Sequence, residues 1–192
     1  MDIVFTIETP GYIVAEFSVN ETKVKIGHSS SYGDRFQELL NKFFHLYEVV
    51  RNNEREYFPY TAKVLWEDDF INYTWSISVD SVSSDVEIKI HELSPSNSDY
   101  KVELVNRRLT IEDLFNNIYY SLDGLLVNFG FVGYKKAWEV GNFPIFEYLT
   151  LKAGRESIQL HVVNSSDDEQ NWTNKIDIEE ELNLISLKGI DK

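Results

Sequence analysis

The sequence has 192 residues, a length that suits one domain with a buried core of its own. It contains no cysteine, which excludes disulfides, thiolate metal sites and cysteine nucleophiles. Its 32 acidic and 18 basic side chains leave a net charge of −14. This balance disfavours nucleic acid as a partner, because phosphate binding draws on clustered lysine and arginine.

Three strands are predicted at the start of the chain. Residues 3–8 form the first, and the period-two alternation of residues 12–19 is typical of a half-buried second strand. Val24 and Ile26 then alternate with two lysines as a third. The segment from His28 to Gly33 is rich in serine, and we expect a polar loop there.

A helix over about 34–51 follows, with Asp34 as its N-cap and apolar residues at helical spacing. A second set of strands is then predicted, with one apolar and one polar face. Its members are residues 61–69, 72–80, 85–92 and 100–106.

A second long helix is predicted over about 111–129, because Thr110 precedes two acids and an apolar stripe. Gly130 is expected to end it. Residues 143–151 fit either a strand or a helix, residues 157–163 suggest a strand, and 164–171 suggest a polar loop.

These elements predict an α+β fold: mostly antiparallel sheet with one face covered by the two long amphipathic helices, and a short C-terminal helix over 179–187. We expect a single domain spanning residues 1–192. The strand-then-helix order occurs twice, so duplicated halves 1–53 and 61–130 with a C-terminal extension are an alternative. No residue-level repeat supports that alternative.

The excess negative charge is concentrated in two segments. Residues 64–92 hold seven acids against one base, residues 156–181 hold eight against one, and the rest of the chain sums to −1. A local acidic surface attracts basic proteins and speeds their encounter. Bacterial immunity proteins, which neutralise toxins that are often cationic, have this size and charge, although no sequence resemblance links them to this chain.

The leading hypothesis is therefore a non-enzymatic protein-binding module of the immunity or inhibitor type, docking a basic partner protein. Tryptophans beside the acids are candidate anchors, since tryptophan and tyrosine dominate binding hot spots. The candidate face comprises Trp66, Glu67, Asp68, Asp69, Asp85, Glu87, Asp167, Asp168, Glu169, Trp172, Glu179, Glu180 and Glu181.

Two alternatives remain open. Glu87, Ile88 and Lys89 form an E-x-K step which, with Asp80 as a further carboxylate, suggests a metal-dependent hydrolase or nuclease. Against it, E-x-K arises by chance on any solvated strand face, and the segment is strongly acidic. The other alternative is a small-molecule or carbohydrate binder with an aromatic cleft.

Other catalytic and targeting signals are absent from the sequence. Gly27 to Ser31 lacks the final glycine of a nucleophile elbow, and the four histidines lack metal-ligand spacing. No glycine-rich phosphate loop exists, so we expect no cofactor. The N-terminus lacks a signal peptide and no apolar run approaches the roughly 18 residues of a membrane span, which predicts a cytoplasmic protein without membrane association.

Overall fold

A computed structural model of the chain describes residues 3–19, 22–156, 162–164, 174–176 and 178–185. The strands are β1 (Ile3–Thr9), β2 (Tyr12–Val19), β3 (Thr22–Ser29), β4 (Tyr60–Glu67), β5 (Asn72–Val79), β6 (Val86–Ser94), β7 (Asn97–Leu109), β8 (Val162–Asn164) and β9 (Asn174–Ile176). The α-helices are α1 (Arg35–Arg51), α2 (Ile111–Trp138), α3 (Ile145–Arg155) and α4 (Ile178–Ile185). The chain divides into two compact units, Met1–Pro144 and Ile145–Lys192.

The first unit contains two antiparallel sheets, which with the helices confirm the predicted α+β fold. One sheet has the order β1-β2-β3 and the other β4-β5-β6-β7. Alternate residues of β5 and β6 are buried, as their period-two pattern predicts. The last strand is longer than predicted, because β7 extends beyond residues 100–106 at both ends.

Helix α1 begins where the sequence predicts. The Asp34 side chain accepts a hydrogen bond from the amide of Gln37 at 3.0 Å, which satisfies one of the free N–H groups of the first turn. The helix packs against β4, where the Tyr60 hydroxyl donates to the carbonyl of Lys42 at 2.8 Å. The indole of Trp66 donates to the carbonyl of Arg35 at 3.2 Å.

Helix α2 does not end at Gly130, which corrects the predicted boundary of 129. Gly130 has φ 61° and ψ 178°, so it bends the helix, and helical geometry resumes up to Trp138. Glycine adopts a positive φ at little cost, which makes a bend as accessible as a stop. The buried side chain of Trp138 favours continuation, since its indole donates to the carboxylate of Asp34 at 3.0 Å.

The core of the first unit joins the two sheets and both helices. The ring centroids of Phe17 and Trp75, from different sheets, lie 5.4 Å apart. Helix α2 packs against β1, where the Ser121 hydroxyl donates to the carbonyl of Ile3 at 2.7 Å. Each long helix thus contacts a strand of the other proposed half.

The second unit contains α3, the antiparallel pair β8 and β9, and α4. Residues 143–151, left open between strand and helix, lie largely in α3. The predicted C-terminal helix is present as α4. Within this unit the Lys152 ammonium donates to the carbonyl of Leu184 at 2.7 Å, joining the two helices. Most of the strand predicted at 157–163 and the loop predicted at 164–171 lie outside the described residues.

Candidate functional site

The acids predicted from residues 64–92 are divided between the two ends of the four-stranded sheet. Glu67 pairs with Asn72, at the end where β4 turns into β5. Glu87 pairs with Ser78, which in turn pairs with Thr61. Thr61 and Glu67 are six residues apart on β4. Glu67 and Glu87 therefore lie roughly 20 Å apart along the strand direction. The segment therefore forms two separate acidic sites.

At the β5–β6 end, the carboxylate of Glu87 is neutralised within the chain. The Lys89 ammonium lies 2.8 Å from one oxygen and the Arg108 guanidinium 3.5 Å from the other. The hydrogen bond from Lys89 lowers the pKa of Glu87. Asp85, from the same predicted face, is exposed nearby in sequence.

Trp66 is a core residue, which corrects its predicted role as a surface anchor. Its side chain has no exposed area, and its ring packs 5.0 Å from that of Trp75. Trp66 lies on the same side of β4 as the buried Val64, whereas its acidic neighbour Glu67 lies on the opposite side. Alternation along the strand separates the tryptophan from that acid.

The acids predicted from residues 156–181 belong to the second unit. Asp167, Asp168, Glu169 and Trp172 lie outside the described residues. Glu179, Glu180 and Glu181 lie on α4, where Glu179 is exposed and Glu181 is half-buried.

The β4–β5 end carries a cluster of tyrosines and acids that we call the tyrosine–acid patch. Its members are Tyr12, Tyr32, Asp68, Asp69, Phe70, Tyr73, Glu92 and Tyr100. Three of its carboxylates each accept a tyrosine hydroxyl. The donor–acceptor distances are 2.8 Å for Tyr12 to Asp68, 3.1 Å for Tyr32 to Asp69 and 2.6 Å for Tyr100 to Glu92.

The four-residue loop between β4 and β5 shapes the centre of the patch. The amide of Asp68 donates to the carbonyl of Ile71 at 3.1 Å, and the amide of Asp69 donates to the Asp68 carboxylate at 2.8 Å. These bonds close a tight turn with Phe70 at its tip. The Phe70 side chain is 85 % exposed, more than any other large apolar side chain in the described part of the chain.

The tyrosines of the patch hold their protons strongly. Burial and then the hydrogen bond to Asp68 raise the pKa of Tyr12. Burial is also the main reason that the pKa of Tyr73 is raised, with further contributions from Glu92, Asp68 and Tyr100. Tyr73 is thus within electrostatic range of both Glu92 and Asp68. The tyrosine hydroxyls therefore remain neutral donors to the acids.

Among the described residues, these three acids have no neutralising cation. In the described ranges, Asp68, Asp69 and Glu92 make no ion pair, whereas the adjacent Glu67 is paired with Arg35 at 3.3 Å. Exposed acids usually stay hydrated, so an unpaired carboxylate alone means little. Here the three carboxylates share one patch with an exposed phenyl ring, and each accepts a tyrosine hydroxyl.

The side chain of His28, beneath the patch, braces the turn. It is fully buried between the rings of Trp66 and Trp138, with centroid distances of 5.7 and 5.8 Å. One ring nitrogen lies 2.9 Å from the carbonyl of Glu67 and the other 3.0 Å from that of Gly33. The imidazole thus ties β3 to the last residue of β4 and to the loop before α1.

The sequence contained only part of the signal for this patch. Asp68 and Asp69 were predicted as partner-binding residues, whereas Phe70, Tyr100 and Glu92 were not. Phe70 could have been suspected, because a phenylalanine between acids in a predicted turn has no strand face to bury it. Tyr100 and Glu92 meet only through the register of β6 and β7, which carries a bulge between Ile90 and His91.

The residues of the proposed hydrolase site lie in different depressions. Glu87 and Lys89 line a groove with Thr61 and Ser76, whereas Asp80 lines another with Arg55. Within the described residues, no group of three or more histidine or acidic side chains is placed to hold a metal ion. Trp66, Trp75 and Trp138 are all fully buried, so none of them lines a cleft.

Two further observations concern membrane spans and similarity to known proteins. None of the helices in the described part combines the length and apolar character that a bilayer crossing requires. No protein-family model matches the sequence, and neither a curated protein nor a solved structure shows significant similarity to it.

Proposed function

We propose that this chain is a non-enzymatic protein-binding module that docks a basic partner protein through the tyrosine–acid patch. The observation that carries the proposal is a set of three carboxylates that pair with no cation of the described residues, on the same patch as Phe70, which is 85 % exposed. An exposed ring of this size supplies the apolar centre of an interface. The acids supply charge complementary to lysine and arginine.

The arrangement favours binding because its geometry is set before the partner arrives. Each tyrosine hydroxyl holds one carboxylate in place, so less side-chain freedom is lost on association. The net charge of −14 adds a long-range attraction for a cationic protein, which raises the association rate and weakens with salt.

This function is of the immunity or inhibitor type, in which a small acidic protein occupies a basic partner. We place it in the cytoplasm, as the sequence predicts. Nucleic acid is a poor alternative occupant, since the unpaired groups of the patch are carboxylates and would repel phosphates.

The proposal is tested by capturing partners from the native host with the tagged chain, identifying them, and measuring binding with the purified partner. The patch variant is Asp69→Asn with Glu92→Gln. The control is Glu48→Gln with Glu56→Gln, which removes the same charge from exposed acids elsewhere. Close interfacial charge pairs contribute about 1.5–7 kcal/mol, so we expect at least about tenfold weaker binding for the patch variant.

The control variant should bind within about twofold of the wild type, apart from a small loss of long-range attraction. Binding of the wild type should weaken as salt is raised from 50 to 300 mM, about the range over which exposed charges become screened. A partner that is not basic, or a patch variant that binds as tightly as the control, would contradict the proposal.

A further inference from the structure

A small cavity adjoins Phe70 at the edge of the tyrosine–acid patch. Its volume is about 220 Å³, and it is lined by Phe70, Ile71, Glu92, Ser94, Asn97 and Tyr100. Sites for whole small molecules usually have volumes of roughly 300–1,000 Å³. This cavity is below that range, so its size suits one side chain of a partner better than a separate ligand.

The walls of the cavity combine one charge with two aromatic rings. One oxygen of the Glu92 carboxylate accepts the Tyr100 hydroxyl at 2.6 Å, which leaves the other oxygen for a further donor. Glu92 makes no ion pair with any described residue. Lys101 is next to Tyr100 in sequence but lies on the opposite face of β7, where it influences His91.

We propose that this cavity binds one arginine side chain of the basic partner, and the assignment rests on the function proposed above. The guanidinium stacks on the ring of Phe70 and donates to the carboxylate of Glu92. Arginine fits better than lysine because its planar head stacks on aromatic faces and donates through several N–H groups at once. Ser94 and Asn97 complete the lining with neutral polar side chains.

The hydroxyl of Tyr100 orients the carboxylate of Glu92 and leaves it available to a partner cation. The hydrogen bond to Glu92 raises the pKa of Tyr100, so the hydroxyl stays a donor at neutral pH. It orients the carboxylate without neutralising it. A lysine in the place of Tyr100 would occupy the same carboxylate and close the site to a partner cation.

The test uses the isolated full chain, labelled with ¹⁵N, titrated with N-acetyl-arginine methylamide. We expect saturable shift changes at the amides of Phe70, Glu92 and Tyr100. The citrulline counterpart, which has the same shape without the charge, should cause less than a third of the change. The lysine counterpart should bind at least threefold more weakly than arginine.

Two variants and a control locate the binding. Glu92→Gln and Phe70→Ala should each weaken arginine binding at least threefold, whereas Glu48→Gln should leave it unchanged. Unsaturated shifts scattered over the surface, equal binding of citrulline, or equal binding of lysine would each overturn the assignment to a guanidinium. The circular dichroism spectrum of each variant confirms that a loss of binding is not a loss of folding.

The arginine titration and the partner capture can fail independently, so the two experiments test the cavity and the docking proposal separately. If the chain captures a basic partner through the patch but the arginine probe leaves the cavity unperturbed, the cavity assignment is wrong and the docking proposal stands. If the probe saturates the cavity while no basic partner is captured, the cavity binds arginine and the docking proposal fails.

Discussion

At one end of the four-stranded sheet, the carboxylate of Glu87 is neutralised by Lys89 and Arg108. At the other end, Asp68 and Glu92 accept hydroxyls from tyrosines instead. Both the ion pair and the tyrosine hydrogen bond hold a carboxylate in a fixed direction. Only the tyrosine hydrogen bond leaves the charge of the carboxylate uncompensated, because a hydroxyl is a neutral donor.

The comparison shows that acidic residues adjacent in sequence serve different purposes. A partly exposed ion pair such as that of Glu87 contributes little to stability and lies on the polar face of the strand. A hydroxyl-held acid beside an exposed ring remains ready for an outside cation. The number of charges in residues 64–92 does not reveal which acids are paired, because a paired and an unpaired carboxylate count equally.

The largest expected effect comes from removing the brace that supports the patch end. We expect His28→Ala to lower the free energy of unfolding by about 2–4 kcal/mol, because it leaves a cavity between two tryptophans and removes the ring's hydrogen bonds. Urea denaturation measures the loss. Hydrogen exchange should also speed up at residues 67–71, since the backbone of Glu67 loses its hydrogen-bonding contact with the ring.

The matched control is His45→Ala, which removes an exposed imidazole from α1. Its cost should stay below about 1 kcal/mol, as for most surface substitutions. Equal destabilisation by the two variants would show that His28 does not brace the turn.

The sequence predicted most of the fold because its strands alternate cleanly. The predicted bounds 72–80 and 85–92 lie within two residues of the observed β5 and β6. Gly130 was misjudged for a physical reason: a glycine that adopts a positive φ either ends a helix or bends it. The choice depends on whether later residues such as Trp138 find a place in the core.

The site was harder to predict than the fold, because its residues meet through tertiary contacts. The prediction of Trp66 as a surface anchor is wrong because strand alternation, not adjacency to acids, decides its position, and it places Trp66 with Val64 in the core. Tyr12 reaches Asp68 across 56 positions of sequence, and no local pattern signals such a contact. Exposure of Phe70 depends on the shape of a turn that the sequence indicates only in outline.

The next prediction concerns the ionisation of Tyr60 in alkaline solution. Burial raises the pKa of Tyr60, at the end of the sheet away from the patch, to about 12. A pKa raised by folding stabilises the folded state fully below the unfolded value of about 10, and this stability is lost as the pH rises towards 12. Tyr60 alone accounts for a loss of about 2–3 kcal/mol across that window.

We therefore expect Tyr60→Phe to cost about 1 kcal/mol at pH 7, where it loses the hydrogen bond to Lys42, and to flatten the decline above pH 10. Denaturation at pH 7, 10 and 11.5 measures both effects. Tyr57→Phe, on an exposed side chain nearby in sequence, is the control and should leave the alkaline decline unchanged. An unaltered slope in the Tyr60 variant would contradict the argument.

The smallest expected effects are pKa shifts, which have different causes at the two ends of the sheet. Lys89→Gln should raise the pKa of Glu87 towards its ordinary value, because it removes the hydrogen bond that lowers it most. Lys63→Gln is the matched control. That lysine lines the same groove but is not among the groups that lower the pKa of Glu87. Carboxyl ¹³C shifts followed from pH 2 to pH 7 measure both variants.

At the patch end, Asp68→Asn should lower the pKa of Tyr12, because it removes the negative charge beside the hydroxyl. The same variant should leave the pKa of Tyr60 unchanged, since burial alone raises that one. Ring ¹³C shifts of labelled tyrosines followed from pH 8 to pH 12 show whether each tyrosine begins to ionise at a lower pH in the variant. If Asp68→Asn shifted both tyrosines equally, the two ends would be electrostatically continuous. The tyrosine–acid patch would then not be an electrostatically separate end of the sheet.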